Sequence, residues 1–373
     1  SALKAATAAV ANVVIGYEAA KNLSTATGNT FIGWQAANNG VITGAWNLGV
    51  GYSAGYQLTS GHSNVILGSQ AGYGTTTGYE NTYIGQDAGG GWEGTGNNNI
   101  AVGHNCMQGA AVSGKGNIGM GQGAFNSLTS GDNNVALGRY AGHSLSTSDY
   151  NTLVGYGAGR ILTTGAKNVA LGYNAGYRLY TASNCIAIGE EAIGENEDTT
   201  GSHQIGIGYK AGYALTTGDY NLLLGYKAGD ALTTGSNNIV IGKDAAGSSA
   251  TVSNEVTIGD TNITKFRVPG ISVSMEASGI SDAKGNLRSI PSNAQSSAYV
   301  AVAADAGKAI YISSGGVTIN NSVFSAGDAV TIINNSGSDQ TITKGSGVTL
   351  YNTADATDAN RTLAQRGMAT IWF

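Results

Sequence analysis

The chain has 373 residues, a formal net charge of -5 and only 11% charged side chains. Without basic or acidic blocks it lacks the electrostatic footprint of a nucleic-acid binder. No stretch approaches the ~18 to 20 consecutive apolar residues of a membrane-spanning helix, so no membrane insertion is expected. The 59 glycines and 2 prolines supply many positive-φ turn residues and remove few ladder donors, and glycine does not recur at every third position as collagen requires.

In chain order, Ser1 to Val14 is alanine-rich but has no basic start and runs directly into a repeat. It is not read as a signal peptide. A chain that begins with Ser already in repeat phase is expected to be a piece of something longer or a processed product.

From there to about residue 261 the unit N-V-x-L-G-Y-x-A-G-Y-x-L-T-T-G-x-x recurs. Its anchoring glycine falls at Gly16, Gly33, Gly51, Gly68, Gly85, Gly103, Gly121, Gly138, Gly155, Gly172, Gly189, Gly208, Gly225, Gly242 and Gly259, and ten of the fourteen gaps are 17 residues. Self-similarity of this kind marks stacked units that bury apolar surface only against neighbours. Seventeen residues are too few for a helix pair, whereas two short strands of four or five residues with two tight turns fill the unit. The expected fold is all-β: a parallel β-solenoid, or β-roll, of about fifteen coils rising ~4.8 Å each, on the order of 70 Å long.

The columns refine this. The residue before each glycine is aliphatic, as in Leu67, Leu137 and Ile207, and the residue three before is Val, Leu, Ile or Thr, as in Val65, Ile118 and Leu222. These share one strand face. The column between them faces the other way, yet it too is apolar or tiny (Phe31, Gly49, Ile66, Tyr83, Leu153, Leu223), with Thr257 the polar exception. A strand apolar on both faces is covered on both, and a thin coil has one inside, so the other face is expected to meet another chain. Threefold bundling suits a fibre, although the columns do not separate two chains from three. Three after the glycine stands Ala in thirteen units, with Cys106 and Asn262 the exceptions, which lets backbones approach across the coil. Four before stands Asn in twelve units, read as a turn residue able to form a stacked amide ladder. Leu recurs seven after, as at Leu58, Leu145 and Leu215, in a second strand of undetermined facing.

Residues 262–291 hold both prolines, Pro269 and Pro291, and read as a connector with one or two short strands. Residues 292–373 read as a small antiparallel sandwich or barrel, with strand-like runs at 298–302, 308–312, 329–333, 340–343 and 347–351. The chain ends on A-T-I-W-F, within a strand-like run, and further residues beyond Phe373 are expected.

No catalytic, metal or cofactor residues emerge. His62, His104, His143 and His203 share no metal-ligand spacing and read as surface residues, although a threefold axis would gather three copies of any one. Gly206-Ile207-Gly208 lacks the strand–loop–helix context of a phosphate loop. Glu190, Glu191, Glu195, Glu197 and Asp198 read as a solvated insertion in the longest coil, of 19 residues. Cys106 and Cys185 lie five coils apart, too far for a disulfide, and read as core fillers. Tyr17, Tyr52, Tyr156, Tyr173, Tyr209, Tyr226 and Trp34 follow anchoring glycines, and Trp46 and Trp92 lie in turns. They read as packing between rods ahead of sugar stacking. Tyr311, Tyr351 and Trp372 read as core of the final domain.

The unit N-x-x-[ILVM]-G-x-x-A resembles the head repeats of trimeric autotransporter adhesins, which form left-handed parallel β-rolls packed as three chains; the extra L-T-T-G-x-x here lengthens one turn. Residues 285–291 (G-N-L-R-S-I-P), 296–308 (S-S-A-Y-V-A-V-A-A-D-A-G-K) and 361–370 (R-T-L-A-Q-R-G-M-A-T) are similar to the carboxy-terminal part of bacteriophage tail fibres. The resemblance implies a homotrimeric, non-enzymatic fibre without cofactor, attached to upstream tail or baseplate proteins. In that setting it is an extracellular part of the virion tail that mediates host attachment through a bacterial surface glycan or outer-membrane receptor. An adhesin head on a bacterial surface is the alternative, and would continue into a coiled-coil stalk and anchor. A glycan-depolymerising fibre would need carboxylates clustered on a groove. An ice-binding array would need the T-T pairs that several coils lack.

Overall fold

The anchoring glycines set the shape of the coil. Gly155 has φ +132° and Gly51 +141°, and a Cβ at Gly155 would collide with the backbone carbonyl of Gly172 one coil on. Both the dihedral and the close approach admit only glycine. The three residues before each glycine form one strand per coil, from β1 (Val13–Ile15) to β15 (Val256–Ile258), in one parallel sheet that follows sequence order. Pairing is in register: Val65, Ile66 and Leu67 lie against Thr82, Tyr83 and Ile84. Fourteen steps of ~4.8 Å make this sheet ~67 Å long. The computed structural model describes residues 9–91, 93–109, 111–268, 273–276, 279–282, 285–286, 292–351 and 357–373. Trp92, Pro269, Pro291 and the opening eight residues lie outside these.

Among the described residues the expected second strand is reduced to isolated parallel bridges, Leu23 to Ile42 and Thr75 to Gly94. After the glycine the backbone turns left-handed two residues on and, in most coils, four residues on, as at Gln70 (φ +55°) and Gly72 (φ +53°). Such residues cannot lie in an extended ladder. Their amides still bond between coils, Gln70 N–H to the Tyr52 carbonyl (2.7 Å) and Gly72 N–H to the Ala88 carbonyl (2.8 Å). The stack is therefore hydrogen-bonded all round while only one side of it is sheet.

The structure places the middle strand column inside. Ile66, Leu153 and Leu223 are fully buried, together with the Ala column (Ala71, Ala141, Ala175) and the recurrent leucines (Leu58, Leu145, Leu215). The second segment thus faces inward at its Leu. Size is balanced between columns. Where the middle column falls to glycine at Gly119, the space holds Cys106, Met107 and Phe125; at Gly206 it holds Ile193. Met107, Phe125 and Ile193 all stand four after their own anchoring glycines, where Ala or Gly is otherwise the rule. An interior one or two side chains thick must be filled locally, because no deeper layer compensates.

The Asn column satisfies a row of buried polar groups along the coil. Asn134 Nδ2 donates to Asn117 Oδ1 (3.0 Å) and to the Ser148 carbonyl (2.8 Å), while its Oδ1 accepts from the backbone N–H (2.8 Å) and Nδ2 (3.1 Å) of Asn151. All four hydrogen-bonding positions of the amide are used, at zero exposure. The amide-ladder expectation holds, but the left-handed residue of this turn is the one before the Asn. Ser63 (φ +58°), Asn133 (+56°) and Tyr150 (+60°) are examples, and every coil has one. The ladder ends at Glu255, whose N–H reaches Asn238 Oδ1 (3.0 Å) and whose carboxylate accepts from Ser248 and Thr257. A carboxylate accepts without donating, which suits a final rung.

The chain divides into two compact units, Ser1–Asp260 and Thr261–Phe373. The second begins with a meander, β16 (Lys265–Val268), β17 (Val273–Glu276), β18 (Gly279–Asp282) and β19 (Gly285–Asn286), so the connector has more strands than expected. Then follow β20 (Ser292–Gln295), β21 (Tyr299–Val300), β22 (Ala309–Ile312), β23 (Val317–Ile319), β24 (Ala329–Asn334), β25 (Gln340–Lys344), β26 (Arg361–Leu363) and β27 (Met368–Trp372). They form two four-stranded sheets, β20-β22-β24-β27 and β21-β23-β25-β26. The two layers match the expected sandwich, but the antiparallel topology does not. Strands from β20 to β25 alternate between sheets and pair in parallel, and only β26 and β27 return antiparallel. This is a second, shorter coiled arrangement closed by a reversed pair. The run 347–351 is not a strand, whereas β23 and β26 are. Ile310, Ile312, Val317, Ile319, Val330 and Ile332 form the core between the sheets.

Candidate functional site

With the middle column inside, the flanking columns point outward along the fifteen-stranded sheet. All of their members are half-exposed or exposed, and Thr30, Thr82 and Thr152 are the only polar ones. Leu67, Val135, Leu137, Val169 and Leu171 lie on an unbroken aliphatic surface ~67 Å long and about 10 Å wide, on the order of 700 Å². Monomeric proteins rarely expose apolar patches above ~300–600 Å². No charged side chain interrupts it.

Aromatic side chains border this face. Tyr17 lies tilted against Trp34 (4.6 Å), while Tyr156 stacks with Tyr173 (5.3 Å) and Tyr209 with Tyr226 (5.1 Å), at the one-coil spacing. Tyr52 and Tyr173 remain about half exposed. On the turn edge, Trp46 is 66% exposed with its ring over Gly28, while His62 stacks on Tyr79 (4.9 Å) and His203 on Tyr220 (4.7 Å).

A third grouping is hidden in the sequence, because its members occupy different columns of adjacent coils. The guanidinium carbons of Arg139 and Arg160 lie 4.7 and 4.8 Å from the centroid of one ring, Tyr140. Arg139 donates to the Tyr140 hydroxyl (3.1 Å) and Arg160 to the Tyr177 hydroxyl (3.4 Å). His143 meets Tyr140 edge-on at 5.6 Å; partial burial, then the Arg160 charge, hold its imidazole below the ordinary value. The available signal was two arginines in consecutive coils, one and five residues after the anchoring glycines Gly138 and Gly155.

The acidic run does not converge. Glu191 pairs with Lys210 (3.1 Å) and Asp198 with Arg178 (2.8 Å). Glu195 accepts from Asn174 Nδ2 (3.2 Å), and burial followed by the neighbouring Glu191 charge raises it to about 7. Among the described residues no three potential ligands gather as a metal site. The four histidines sit in four different coils, and His104 is simply exposed. Gly206 and Ile207 belong to strand β12 (Ile205–Ile207), so that glycine pair is no phosphate loop. Cys106 and Cys185 are free and buried, with burial raising their thiols to about 12 and about 11. In the second unit Tyr351 is 62% and Trp372 76% exposed, which corrects their reading as core; Tyr311 is half-buried on the outer sheet face. Trp372 alternates with inward Ile371 at the end of β27, so strand parity turns it out.

No protein-family model matches the chain, and no curated protein sequence is significantly similar to it. The class is therefore defined by fold: a β-solenoid repeat protein with about 17 residues per coil, followed by small β-sheets.

Proposed function

We propose that this chain is a subunit of a self-associating fibre, in which identical copies pack along the outer aliphatic face and present their edges to a bacterial surface. The observation that carries the reading is the continuous outward aliphatic surface running through all fifteen coils. Its size, on the order of 700 Å² per chain, approaches the ~800 Å² per partner of a standard stable interface. A parallel bundle of three copies is the arrangement implied by the resemblance to adhesin heads and phage tail fibres. The same resemblance supports a place in an extracellular virion tail and host attachment through a surface glycan or outer-membrane component. Weak identical sites on a stiff assembly gain avidity without new contacts.

Light scattering tests the association. The chain mass is 37.5 kDa, and the expected result is three times that value. Leu137→Asp with Leu171→Asp, on the outer face, is expected to release monomers that still show a β spectrum. A monomeric parent chain at micromolar concentration would overturn the reading. Retention of the protein on whole bacterial cells tests attachment separately.

A further inference from the structure

The cluster around Tyr140 is a charge anomaly in an acidic chain. Between Asn133 and Gly189 the sequence holds Arg139, Arg160, Lys167 and Arg178 against a single acid, Asp149. Arg178 is taken by Asp198 (2.8 Å), and Asp149 accepts the backbone N–H of Asp132 (2.7 Å) on the turn edge. Arg139 and Arg160 have no carboxylate partner among the described residues. Instead one tyrosine ring gathers both guanidinium groups, at 4.7 and 4.8 Å. Two like charges around one ring repel, and a guanidinium has five N–H donors, of which the contacts to the Tyr140 and Tyr177 hydroxyls engage one on each arginine. Each guanidinium fork is of the kind that pairs with a carboxylate or a phosphate. Tyr156 lies beside Tyr140 (6.2 Å) and is 38% exposed, offering an aromatic surface next to the anion position.

We propose that Arg139 and Arg160, held by Tyr140 and flanked by Tyr156 and Tyr177, bind an anionic sugar residue of a surface polysaccharide, carboxylated or phosphorylated. This rests on the fibre reading for the source of the glycan, while the chemistry rests on the cluster alone. The guanidinium pair takes the anion and the tyrosine surfaces take the sugar ring.

The test is calorimetric titration of the full chain with oligogalacturonate, a phosphomannan oligosaccharide and neutral maltohexaose. Binding of one or both charged probes, weakened by salt, and none of maltohexaose is expected; which probe binds identifies the anion. Arg139→Gln with Arg160→Gln should weaken that binding about tenfold or more. Lys115→Gln with Lys167→Gln, which removes the same charge outside the cluster, should leave it unchanged. Equal loss in both double variants would reduce the effect to net charge and overturn the site, as would absence of binding to either charged probe or equal binding of maltohexaose. Circular dichroism and melting of both variants confirm that these surface substitutions leave the coil folded. Cell retention separates the two readings: a chain that adheres to cells but binds no charged probe loses the site and keeps the fibre, and the opposite pattern keeps the site alone.

Discussion

The two units solve one problem, coiling a chain so that successive strands pair in parallel, with different means. In Ser1–Asp260 the interior is so thin that backbone dictates sequence: anchoring glycines in backbone contact, left-handed residues at fixed places and a column of buried amides recur in most coils. In the second unit two sheets face each other over an ordinary aliphatic core, and buried polar groups are solved singly. Asn334 donates to the carbonyls of Ser338, Leu363 and Ala364, and Asp305 accepts from Asn293, Tyr299 and the Val302 N–H. The comparison teaches that periodicity in sequence measures how little room the fold leaves. A thick core accepts many sequences, whereas a coil of one or two side chains accepts nearly one.

Glycine offers the widest separation between the units. Gly155→Ala forces a Cβ into the next coil's carbonyl at φ +132°, and should cost about 3 kcal/mol or more. Gly307→Ala meets nothing within 4 Å at φ +77° and should cost only about 1 kcal/mol. Denaturant titration of the two variants checks the ranking; similar losses would break the argument that close approach governs the repeat. Next comes the ladder. Asn134→Ala strands the buried Ser148 carbonyl and the Asn151 N–H and removes one acceptor of Asn151 Nδ2, an expected loss of about 2–4 kcal/mol. Hydrogen exchange should show amides opening in the coils on either side, since each rung is bonded to two others. Asn334→Ala should open only the second unit.

These differences explain what the sequence disclosed. The fifteen coils were legible because their anchoring glycines, alanines and asparagines are each imposed by backbone contact or hydrogen-bond satisfaction. The reduction of the second strand was not, because left-handed residues such as Gln70, Lys210 and Lys227 carry ordinary side chains. Met107, Phe125 and Ile193 could have been matched to the gaps at Gly119 and Gly206, had the two columns been read together. In the second unit alternation marked β22 and β24, but nothing local distinguishes a parallel from an antiparallel partner, so topology was misread. The outer aliphatic face was visible as columns. The Arg139–Arg160 pair was not, because a functional cluster on a repeat scaffold breaks the columns that make the scaffold readable.

Overpacking sharpens the comparison further. Ala141→Leu adds bulk where Phe125 and Leu153 already fill the coil, and should cost about 1–3 kcal/mol. Ala329→Leu, half-buried on the outer face of the second unit, should change stability by less than about 0.5 kcal/mol. Thermal melts of the two would contradict the thin-interior argument if the order reversed.

The smallest expected effect lies in the 19-residue coil, the one place where the repeat loosens enough to hold a carboxylate out of solvent. Glu195 is raised from its ordinary value of 4.5 to about 7, first by burial and then by Glu191, with Arg178 and Lys210 opposing. The folded state therefore binds the proton more tightly than the unfolded chain. Its stability contribution is fullest below the unfolded value, falls as pH rises from about 4.5 to about 7, and is flat above. Partial exposure screens the effect to about 1 kcal/mol or less. Glu195→Gln should thus leave the melting temperature unchanged at about pH 4 and raise it slightly at about pH 8. A parent chain whose stability climbs between those values, with the variant parallel to it, would place the carboxylate in water and remove the exception from this coil.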